Sequence, residues 1–416
     1  MAPYVSRLID APLRETLEEF AAVMIVGPRA SGKTTSARRL SRSSLQLDRP
    51  DEAGPLRADP DDVLGAFETP LLIDEWQLVP EVLPAVKRSV DANSSPGRFV
   101  LTGSVRAELL QPTWAATGRV IVLTQWGLSE RELVGRTDET SFIDLLFDDG
   151  IDSLLSPAEP VSLRGYLARA LRGMPPEVAL RSSSRARGIW WESYVQQLIG
   201  RDATLADTSR DPTLLRRYLQ AVASNTAGVV EHKRIYDAAG VTRMTAVAYD
   251  SLFEALFATE RLPAWHSNQL NRLTRTEKRY LVDPAMLGPL LGVDERALLR
   301  NGDLLGRLID TYVLSQLRPE LTAATSVSRL YHLRHDAGTH EIDLIAESRD
   351  GRVAGIECKA NAAPDRTDAA HLIWLRDQLG DRFTVGVVFH TGPRIFRIDP
   401  RIYAIPIASI WDRGRP

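Results

Sequence analysis

The sequence contains little cysteine and lysine, and it has no long apolar run. Cys358 is the only cysteine among 416 residues, so no disulfide can form within the chain. No apolar run approaches the roughly 20 residues that a helix needs to span a bilayer, and the amino terminus lacks the basic-then-apolar pattern of a signal peptide. We therefore expect a soluble protein without a membrane partner in a reducing compartment, most simply a bacterial or archaeal cytoplasm.

The overall charge excludes a protein that binds nucleic acid through a strongly basic charge on the whole chain. A formal net charge of −3 gives no strongly basic field, so any nucleic-acid-binding surface must be a local patch. Only five of the 51 basic residues are lysine, at positions 33, 87, 233, 278 and 359. Since arginine serves wherever a generic positive charge suffices, a lysine in this chain suggests a need for a compact ammonium group.

A glycine-rich loop near the amino terminus fits the pattern Gly-x-x-x-x-Gly-Lys-[Ser/Thr] in full. The apolar run 21–26 before it predicts a buried strand, and residues 36–40 after it predict a helix. Backbone N–H groups of such a loop bind phosphates, Lys33 supplies a charge for the β- and γ-phosphates, and the Thr34 hydroxyl binds Mg²⁺. We predict an ATP site formed by Gly27, Pro28, Arg29, Ala30, Ser31, Gly32, Lys33, Thr34 and Thr35.

A second apolar run, 70–73, ends in two carboxylates that would complete this site. We expect Asp74 to hold the Mg²⁺ and Glu75 to orient the attacking water. A third predicted strand, 98–102, ends near Thr102 and Ser104, and either hydroxyl could sense the γ-phosphate. For Ser104, a helix cap is the competing interpretation. For Arg119, on a further predicted strand, we favour a solvated charge over a phosphate contact.

The order of these elements predicts an α/β fold. Strands and helices alternate from residue 21 to 123, apart from a polar segment that contains Pro50, Pro55 and Pro60, and this order indicates a parallel sheet flanked by helices. From about 128 to 217 the pattern is helical. Residues 232–239, Gly240 and 242–257 then have helix-turn-helix spacing, with Thr242 as the cap of the second helix and Val247 on its apolar side. An ordinary helical hairpin would have the same spacing.

Basic residues in and after this motif suggest DNA as a partner. Arg243 would lie at the exposed start of the second helix, where such motifs meet a major groove. The stretch 271–279 fits a phosphate-contacting loop, although a solvated loop would have the same composition. The candidate DNA contacts are Arg243, Arg272, Arg275, Lys278 and Arg279.

Near the carboxyl terminus, two apolar runs predict an antiparallel hairpin with its turn at 349–351. A three-residue loop would place Asp343 opposite Glu357, and Lys359 would share a face with Glu357. With Asp310 on a preceding helix, this set could bind one or two Mg²⁺ or Mn²⁺ ions and cleave a phosphodiester, with Asp343, Glu357 and Lys359 catalytic and Asp310, Asp343 and Glu357 as metal ligands. A salt-bridged hairpin is the alternative.

Taken together, the segments GPRASGKTT, LLIDEWQ, FVLTGS, WGLSERE, HEIDLI and GIECKA resemble a prokaryotic family of AAA+-like P-loop ATPases. Proteins of that family carry a winged-helix segment and a carboxy-terminal PD-(D/E)XK nuclease-like domain of unknown function. The resemblance implies an ATPase domain at 1–135, a helical connection at 136–220, a winged-helix segment at 221–285 and an α/β restriction-endonuclease-like domain at 286–416. It assigns Lys33, Thr34, Asp74 and Glu75 to ATP hydrolysis, and Asp310, Asp343, Glu357 and Lys359 to the nuclease-like set.

Two departures accompany this resemblance. The family's helix glutamate is Asp310 in this chain, and a GGFPE-like segment is replaced by residues 172–177. The leading hypothesis is an ATPase that acts on DNA through the winged-helix and nuclease-like parts. The alternative is a nucleotide-switched DNA-binding or protein-interaction regulator whose nuclease fold is inactive. A homo-oligomer is compatible with either hypothesis, but the sequence does not define the oligomeric state, because no residue is an unambiguous arginine finger.

Overall fold

The computed structural model describes residues 4–105, 117–148, 150–181, 183–202, 211–268, 272, 275–335 and 338–414. The chain divides into two compact units. The first consists of residues 1–128, 174–180 and 251–258, and the second contains the rest. Among the described helices, none has the length and apolar character that a bilayer span requires.

The first unit is built on a five-stranded parallel sheet with strand order β2-β3-β4-β1-β5. Its three central strands are short apolar runs that are buried along their whole length, as expected for strands covered on both faces. The predicted parallel sheet is therefore confirmed. The strands are β1 (Ala22–Val26), β2 (Ser43–Gln46), β3 (Leu71–Asp74), β4 (Phe99–Gly103) and β5 (Ile121–Thr124).

Helices cover both faces of this sheet. Alternate residues of β1 face two different apolar clusters, since Met24 packs in one and Ile25 in the other. The first cluster includes Val86, and the second includes Leu13 and Leu17. The helices are α1 (Asp10–Glu19), α2 (Lys33–Arg38), α3 (Pro50–Ala58), α4 (Pro60–Gly65) and α5 (Val82–Ala92). The sequence suggested an irregular polar segment where α3 lies, but Pro50 occupies the first helical turn and Leu56 is buried.

The next part of the chain is mainly helical, as the sequence predicts. A π-helical turn (Leu198–Asp202) follows one of these helices. The helices are α6 (Glu130–Leu133), α7 (Phe142–Leu145), α8 (Leu163–Arg172), α9 (Pro176–Ala179), α10 (Ser184–Gln197), α11 (Pro212–Ser224), α12 (His232–Ala239), α13 (Arg243–Ala255), α14 (Leu287–Leu291) and α15 (Glu295–Arg300).

Helices α12 and α13 are joined by the predicted turn, which a helix-turn-helix motif and an ordinary helical hairpin share. Gly240 ends α12 in the left-handed conformation with φ of 71°, and the Thr242 hydroxyl accepts a hydrogen bond from the Thr245 N–H at 3.2 Å. The two antiparallel strands β6 (Thr259–Leu262) and β7 (Lys278–Leu281) come later in the chain. Val247, which the helical pattern placed on the apolar side of α13, is instead 51% exposed.

The second unit also contains a six-stranded mixed sheet of order β12-β13-β11-β10-β9-β8. Strands β9 and β10 form the predicted antiparallel hairpin, while β11 pairs in parallel with both β10 and β13. The elements are α16 (Gly302–Ala323), β8 (Ser328–His335), β9 (His340–Ser348), β10 (Val353–Cys358), α17 (Ala370–Leu379), β11 (Phe383–His390), β12 (Phe396–Asp399) and β13 (Ile402–Pro406).

A buried polar connection fixes α6 against α16 in the second unit. Ser129 and Glu132 form a capping box at the start of α6, although both are almost fully buried. The Arg131 guanidinium lies 2.6 Å from the carboxylate of Glu320 in α16, and both side chains are at most 1% exposed. This pair satisfies two charges that would otherwise be very costly to bury.

Replacing one partner of this buried pair should destabilise the second unit. In Arg131→Met, Glu320 keeps its contacts with Ser141 and Phe142 but loses its counter-charge, and we expect a loss of about 3–5 kcal/mol. Arg164→Met removes the exposed pair with Glu295 and should cost less than about 1 kcal/mol. Urea unfolding followed by circular dichroism measures both. Equal losses in the two variants would show that burial of the Arg131 pair has no special weight.

Candidate functional site

The glycine-rich loop adopts a conformation that requires glycine at both fixed positions. Gly27 has φ of 152°, and a Cβ atom there would lie 2.0 Å from the Gln125 carbonyl oxygen. Gly32 has φ of 92° and directly precedes α2. The backbone therefore turns tightly between the end of β1 and the start of α2, where helix N–H groups are free to bind an anion.

Lys33 is buried at the start of α2 and folds back onto its own loop. Its ammonium group donates hydrogen bonds to the carbonyl oxygens of Gly27 at 3.0 Å and Pro28 at 2.7 Å. Burial lowers the pKa of Lys33 to about 8, although the negative charges of Glu75 and Asp74 oppose this shift. A phosphate group would replace these neutral carbonyls with a full negative charge and so favour the ammonium form.

Asp74, at the end of β3, accepts hydrogen bonds from two hydroxyl groups on other elements. Thr34 Oγ1 in α2 donates to Asp74 Oδ1 at 2.8 Å, and Thr102 Oγ1 in β4 donates to the same oxygen. The donor set of one carboxylate and neighbouring hydroxyls suits a hard cation such as Mg²⁺. The structure thus brings Thr34, Asp74 and Thr102 together at the carboxyl edge of the sheet.

Glu75 follows Asp74 in the left-handed conformation, with φ of 56°. The side-chain amide of Gln77 donates a hydrogen bond to the Glu75 carboxylate and a second, at 3.4 Å, to the Ser104 hydroxyl. Glu75 and Ser104 are therefore linked through Gln77. The sequence reasoning missed Gln77, although its position two residues after Glu75 was visible.

Arg7 is the second residue near the loop that the sequence reasoning missed. It is 5% exposed, and its guanidinium donates to the carbonyl oxygens of Ser31 at 2.8 Å and Trp126 at 2.6 Å. Arg7 therefore ties the phosphate-binding loop to the segment after β5. No local motif marks it, because the contact spans more than 100 residues. Among the other residues of the segment, Arg29 in the turn is half-buried, Ala30 in the turn is exposed, and Thr35 in α2 is exposed.

Arg119 lies away from this group and forms an exposed ion pair with Asp91. This placement agrees with the interpretation of Arg119 as a solvated charge.

The carboxy-terminal carboxylates surround a lysine that the sequence had placed elsewhere. The Lys278 ammonium on β7 lies 2.6 Å from Asp310 Oδ2 and 2.9 Å from Asp343 Oδ1, and the Tyr280 hydroxyl donates to Asp310 at 3.1 Å. Burial raises the pKa of Asp310 to about 7 in spite of Lys278. Burial also acts on Asp343, but Lys278 and the Cys358 N–H outweigh it and hold the pKa of Asp343 below its usual value.

Glu357 and Lys359 lie beside this group. Ile356 on β10 pairs with Leu344 on β9. Because the strands are antiparallel, the following residue of β10, Glu357, lies opposite the preceding residue of β9, Asp343. Lys359 Nζ lies 3.0 Å from Glu357 Oε2, while Glu357 Oε1 has no hydrogen-bond partner among the described residues. Burial and the nearby Asp343 raise the pKa of Glu357 well above its ordinary value.

This arrangement differs from the predicted metal site. Across the described part of the chain, no three histidine, cysteine or carboxylate side chains are placed to hold a metal ion. The ammonium of Lys278 occupies the position between Asp310 and Asp343 that a cation would need. The residues as arranged do not fit the Mg²⁺ or Mn²⁺ site expected from Asp310, Asp343 and Glu357, because Lys278 is the counter-ion of the first two and Lys359 pairs with Glu357.

Two of the predicted DNA contacts are also corrected by their burial. Lys278 is 1% exposed within the carboxylate group, and Arg279 is 7% exposed and pairs with Asp250 at 3.1 Å. Neither side chain is exposed to solvent in the way that the predicted phosphate contact requires. Arg243 is exposed at the start of α13. Arg272 forms a two-bond pair with Glu347, and Arg275 donates to the Arg334 carbonyl oxygen.

Comparisons with known proteins support the class of the first unit. Residues 19–134 match the family model of an AAA domain. Together with the loop and the Asp74 group, this supports a P-loop ATPase family for the amino-terminal part of the chain. Residues 163–297 match a domain of unknown function, DUF8612, and residues 305–410 match a second one, DUF4143.

Two mycobacterial proteins are similar along most of the chain. The uncharacterized protein Rv2008c of Mycobacterium tuberculosis is 27% identical over 409 residues, which are 97% of this chain and 84% of that protein. Mb2031c of Mycobacterium bovis has the same values. Among solved structures, the Walker-type ATPase PABY2304 of Pyrococcus abyssi aligns with a TM-score of 0.43 and 14% identity over 68% of this chain and 94% of its own.

Removing the internal counter-ion should expose the carboxylate group to cations. In Lys278→Met, Asp310 and Asp343 lose their shared ammonium, and we expect Mn²⁺ to bind at least about tenfold more tightly than in the wild type. Paramagnetic resonance of Mn²⁺ without nucleotide measures this, with the exposed Lys233→Met as control.

The double variant Lys278→Met/Asp310→Asn separates this gain from a general loosening of the fold. It should bind Mn²⁺ no better than the wild type, because one of the two carboxylates is gone. Equal Mn²⁺ binding by wild type and Lys278→Met would show that Lys278 does not block a cation site.

Proposed function

We propose that this protein binds and hydrolyses ATP at the carboxyl edge of the parallel sheet. The observation that supports this most directly is the convergence of the glycine-rich loop, Lys33 and the Asp74 group on that edge. Strand β3 with Asp74, strand β4 with Thr102 and strand β1 before the loop are consecutive in the sheet, so their ends lie side by side. Ligands of open parallel sheets bind outside the carboxyl ends of the strands.

Each residue has a definite task in this proposal. The loop N–H groups and the start of α2 bind the phosphates, and Lys33 turns from the carbonyls of Gly27 and Pro28 to the β- and γ-phosphates. Thr34 and Asp74 would hold Mg²⁺, which neutralises charge on the phosphates when bound. Thr102 orients Asp74 through its hydroxyl group.

Glu75 positions and deprotonates the attacking water in this proposal. Its carboxylate must first exchange the hydrogen bond from Gln77 for one to water. Since the same amide reaches Ser104, movement of the Ser104 hydroxyl towards a γ-phosphate would also free Gln77. This supports Ser104 as a residue that responds to the nucleotide.

We further propose that the ATP cycle serves an action on DNA by the second unit. The helix-turn-helix with the exposed Arg243 supports this, as do the arginines that follow it. Because Lys278 already neutralises Asp310 and Asp343, we favour a second unit that binds DNA without cutting it, as a nucleotide-switched regulator.

DNA cleavage with a metal ion is the second candidate function, and it would require Lys278 to give way to a cation at Asp310 and Asp343. The observation that favours it is the grouping of Asp343, Glu357 and Lys359, in which one buried oxygen of Glu357 has no hydrogen-bond partner in the described part of the chain. A buried carboxylate oxygen without a partner is unusual unless it serves a ligand or a reaction.

Substitutions at the loop should separate binding from turnover. Lys33→Ala removes the ammonium group that would contact the transferred phosphate, and we expect ATP turnover to fall at least about 100-fold. Glu75→Gln should retain ATP binding and lose turnover about 100-fold or more. Phosphate release and a fluorescent ATP analogue measure the two properties. Lys87→Ala, which alters an exposed lysine of the same unit, is the control, and undiminished turnover in Lys33→Ala would refute the proposed site.

Cleavage tests the second candidate directly. Single- and double-stranded DNA are incubated with Mg²⁺ or Mn²⁺, with and without ATP, beside Glu357→Ala and Lys33→Ala. If the second unit binds DNA without cutting it, neither the wild type nor any variant cleaves the DNA. The wild type and Glu357→Ala then still hydrolyse ATP. Cleavage by the wild type that is lost in Glu357→Ala would instead establish the nuclease, and the Lys33 variant would then show whether ATP is required.

A further inference from the structure

A wide groove in the second unit is lined mainly by arginine. Its volume is 1160 Å³, and its lining includes six guanidinium groups, those of Arg261, Arg272, Arg275, Arg279, Arg329 and Arg349. Among the described residues, the carboxylates of the lining are those of Glu277 and Glu347. Because Asp250 also pairs with Arg279, the described residues around the groove have an excess of three positive charges, in a chain whose formal net charge is −3.

Several of these guanidinium groups are held in place. Arg272 donates to both oxygens of Glu347, at 2.6 and 2.9 Å, and its guanidinium carbon lies 4.9 Å from the centre of the Tyr331 ring. Arg275 is fixed by the Arg334 carbonyl at 2.7 Å. Fixed guanidinium groups lose little conformational entropy when a ligand binds.

A buried hydrogen-bond network supports one side of the groove. Asp250 accepts hydrogen bonds from the Tyr218 hydroxyl at 2.7 Å and from Arg279 at 3.1 Å, and Tyr218 also contacts the ring of His232 at 2.9 Å. His232 lines the groove beside Arg279. The network therefore fixes the orientation of Arg279 and His232 towards the groove.

Two other arginines lie open to solvent. Arg329 on β8 and Arg349 in the turn after β9 are exposed, and neither has an ion-pair partner in the part of the chain that the structure describes. Unpaired, exposed guanidinium groups beside fixed ones are suited to several anions at once.

We propose that this groove binds the phosphate backbone of a single-stranded nucleic acid. The inference rests on the proposed action on nucleic acid and does not depend on ATP hydrolysis. It assigns the contact to residues that the sequence did not single out, namely Arg261, Arg329 and Arg349, together with the predicted Arg272 and Arg275.

Size and composition favour this ligand over others. Pockets for small molecules are usually about 300–1,000 Å³ and mainly apolar, whereas this groove is larger and mainly charged. The centre of a protein interface is rich in aromatic and poor in charged residues, but the apolar side chains of the groove are few, among them Val327 and Tyr331. Since such a lining offers little to the bases, we expect binding with weak sequence preference and strong salt dependence.

The test measures binding of a fluorescently labelled 12-nucleotide DNA strand by anisotropy, in EDTA and without nucleotide, from 50 to 200 mM salt. Arg329→Glu/Arg349→Glu should bind at least about tenfold more weakly than the wild type at 50 mM salt. The slope of log K against log salt should fall by roughly 1.4, since each lost phosphate contact on a single strand contributes about 0.7.

The matched control reverses two exposed arginines of α15 in the same unit, as Arg296→Glu/Arg300→Glu. It changes the net charge equally and should stay within about twofold of the wild type. Arg329→Lys/Arg349→Lys should keep most of the affinity, and an RNA strand of the same length should bind similarly because the phosphates are shared.

Three outcomes would overturn the proposal. They are no binding by the wild type, equal weakening in both charge-reversal variants, and competition by polyglutamate as effective as that by unlabelled strand at equal charge.

Lys33→Ala is included so that the two proposals can fail separately. It should bind the strand like the wild type, and loss of ATP turnover without loss of strand binding supports the groove independently of the ATPase.

Discussion

The Asp74 carboxylate joins the elements on which the first unit depends. One of its oxygens accepts hydrogen bonds from Thr34 in α2 and Thr102 in β4, while Asp74 itself ends β3. The loop before α2, the strand that carries the acid and the strand between them are thus fixed relative to one another. A cation bound at this oxygen would act on all three elements at once. In the proposed ATP cycle, such a connection would transmit a change at the phosphates to Ser104 and Gln77 through the adjacent strand ends.

Two buried lysines show how their surroundings set the behaviour of the same side chain. Lys33 donates hydrogen bonds to neutral groups, two carbonyl oxygens and the Ser31 hydroxyl, and burial lowers its pKa to about 8. Burial acts in the same direction on Lys278, but Asp310 and Asp343 outweigh it and raise the pKa of Lys278 well above its ordinary value. Lys33 is therefore prepared to gain a negative partner, whereas Lys278 already has two. This contrast is why we place chemistry at the first group and charge neutralisation at the second.

Much of the fold could be predicted from local patterns. The apolar runs before Gly27 and Asp74 gave buried parallel strands, and Gly240 with Thr242 gave the turn between two helices, because these signals lie within a few residues of the structure that they form. Helix α3 was missed since Pro50 and Pro55 are typical of loops, and only the packing of Leu56 in the core favours a helix there. Val247 was assigned to the wrong face of α13 for a related reason. Helical spacing predicts which residues share a face, but the width of the buried part of that face depends on the packing of neighbouring elements.

The candidate site could be predicted to the extent that its residues lie in one motif. Two short segments of the sequence indicated Lys33, Thr34, Asp74 and Glu75. Gln77 and Arg7 could be identified only from the tertiary structure, because their roles rest on contacts across the sheet edge. In the same way, the hairpin register that pairs Asp343 with Glu357 follows from a three-residue turn, while nothing near Lys278 in the chain indicates that it lies between Asp310 and Asp343.

By itself, the sequence determined the class of the first unit, because the phosphate-binding loop is a continuous segment whose glycines and lysine define its conformation and charge. Only the tertiary structure decided which charges neutralise one another. Lys278 lies 32 residues before Asp310 and 65 before Asp343, and the arginines of the groove come from separate segments of the second unit. Electrostatic interaction depends on distance in space and on burial, and neither quantity can be read from positions along the chain.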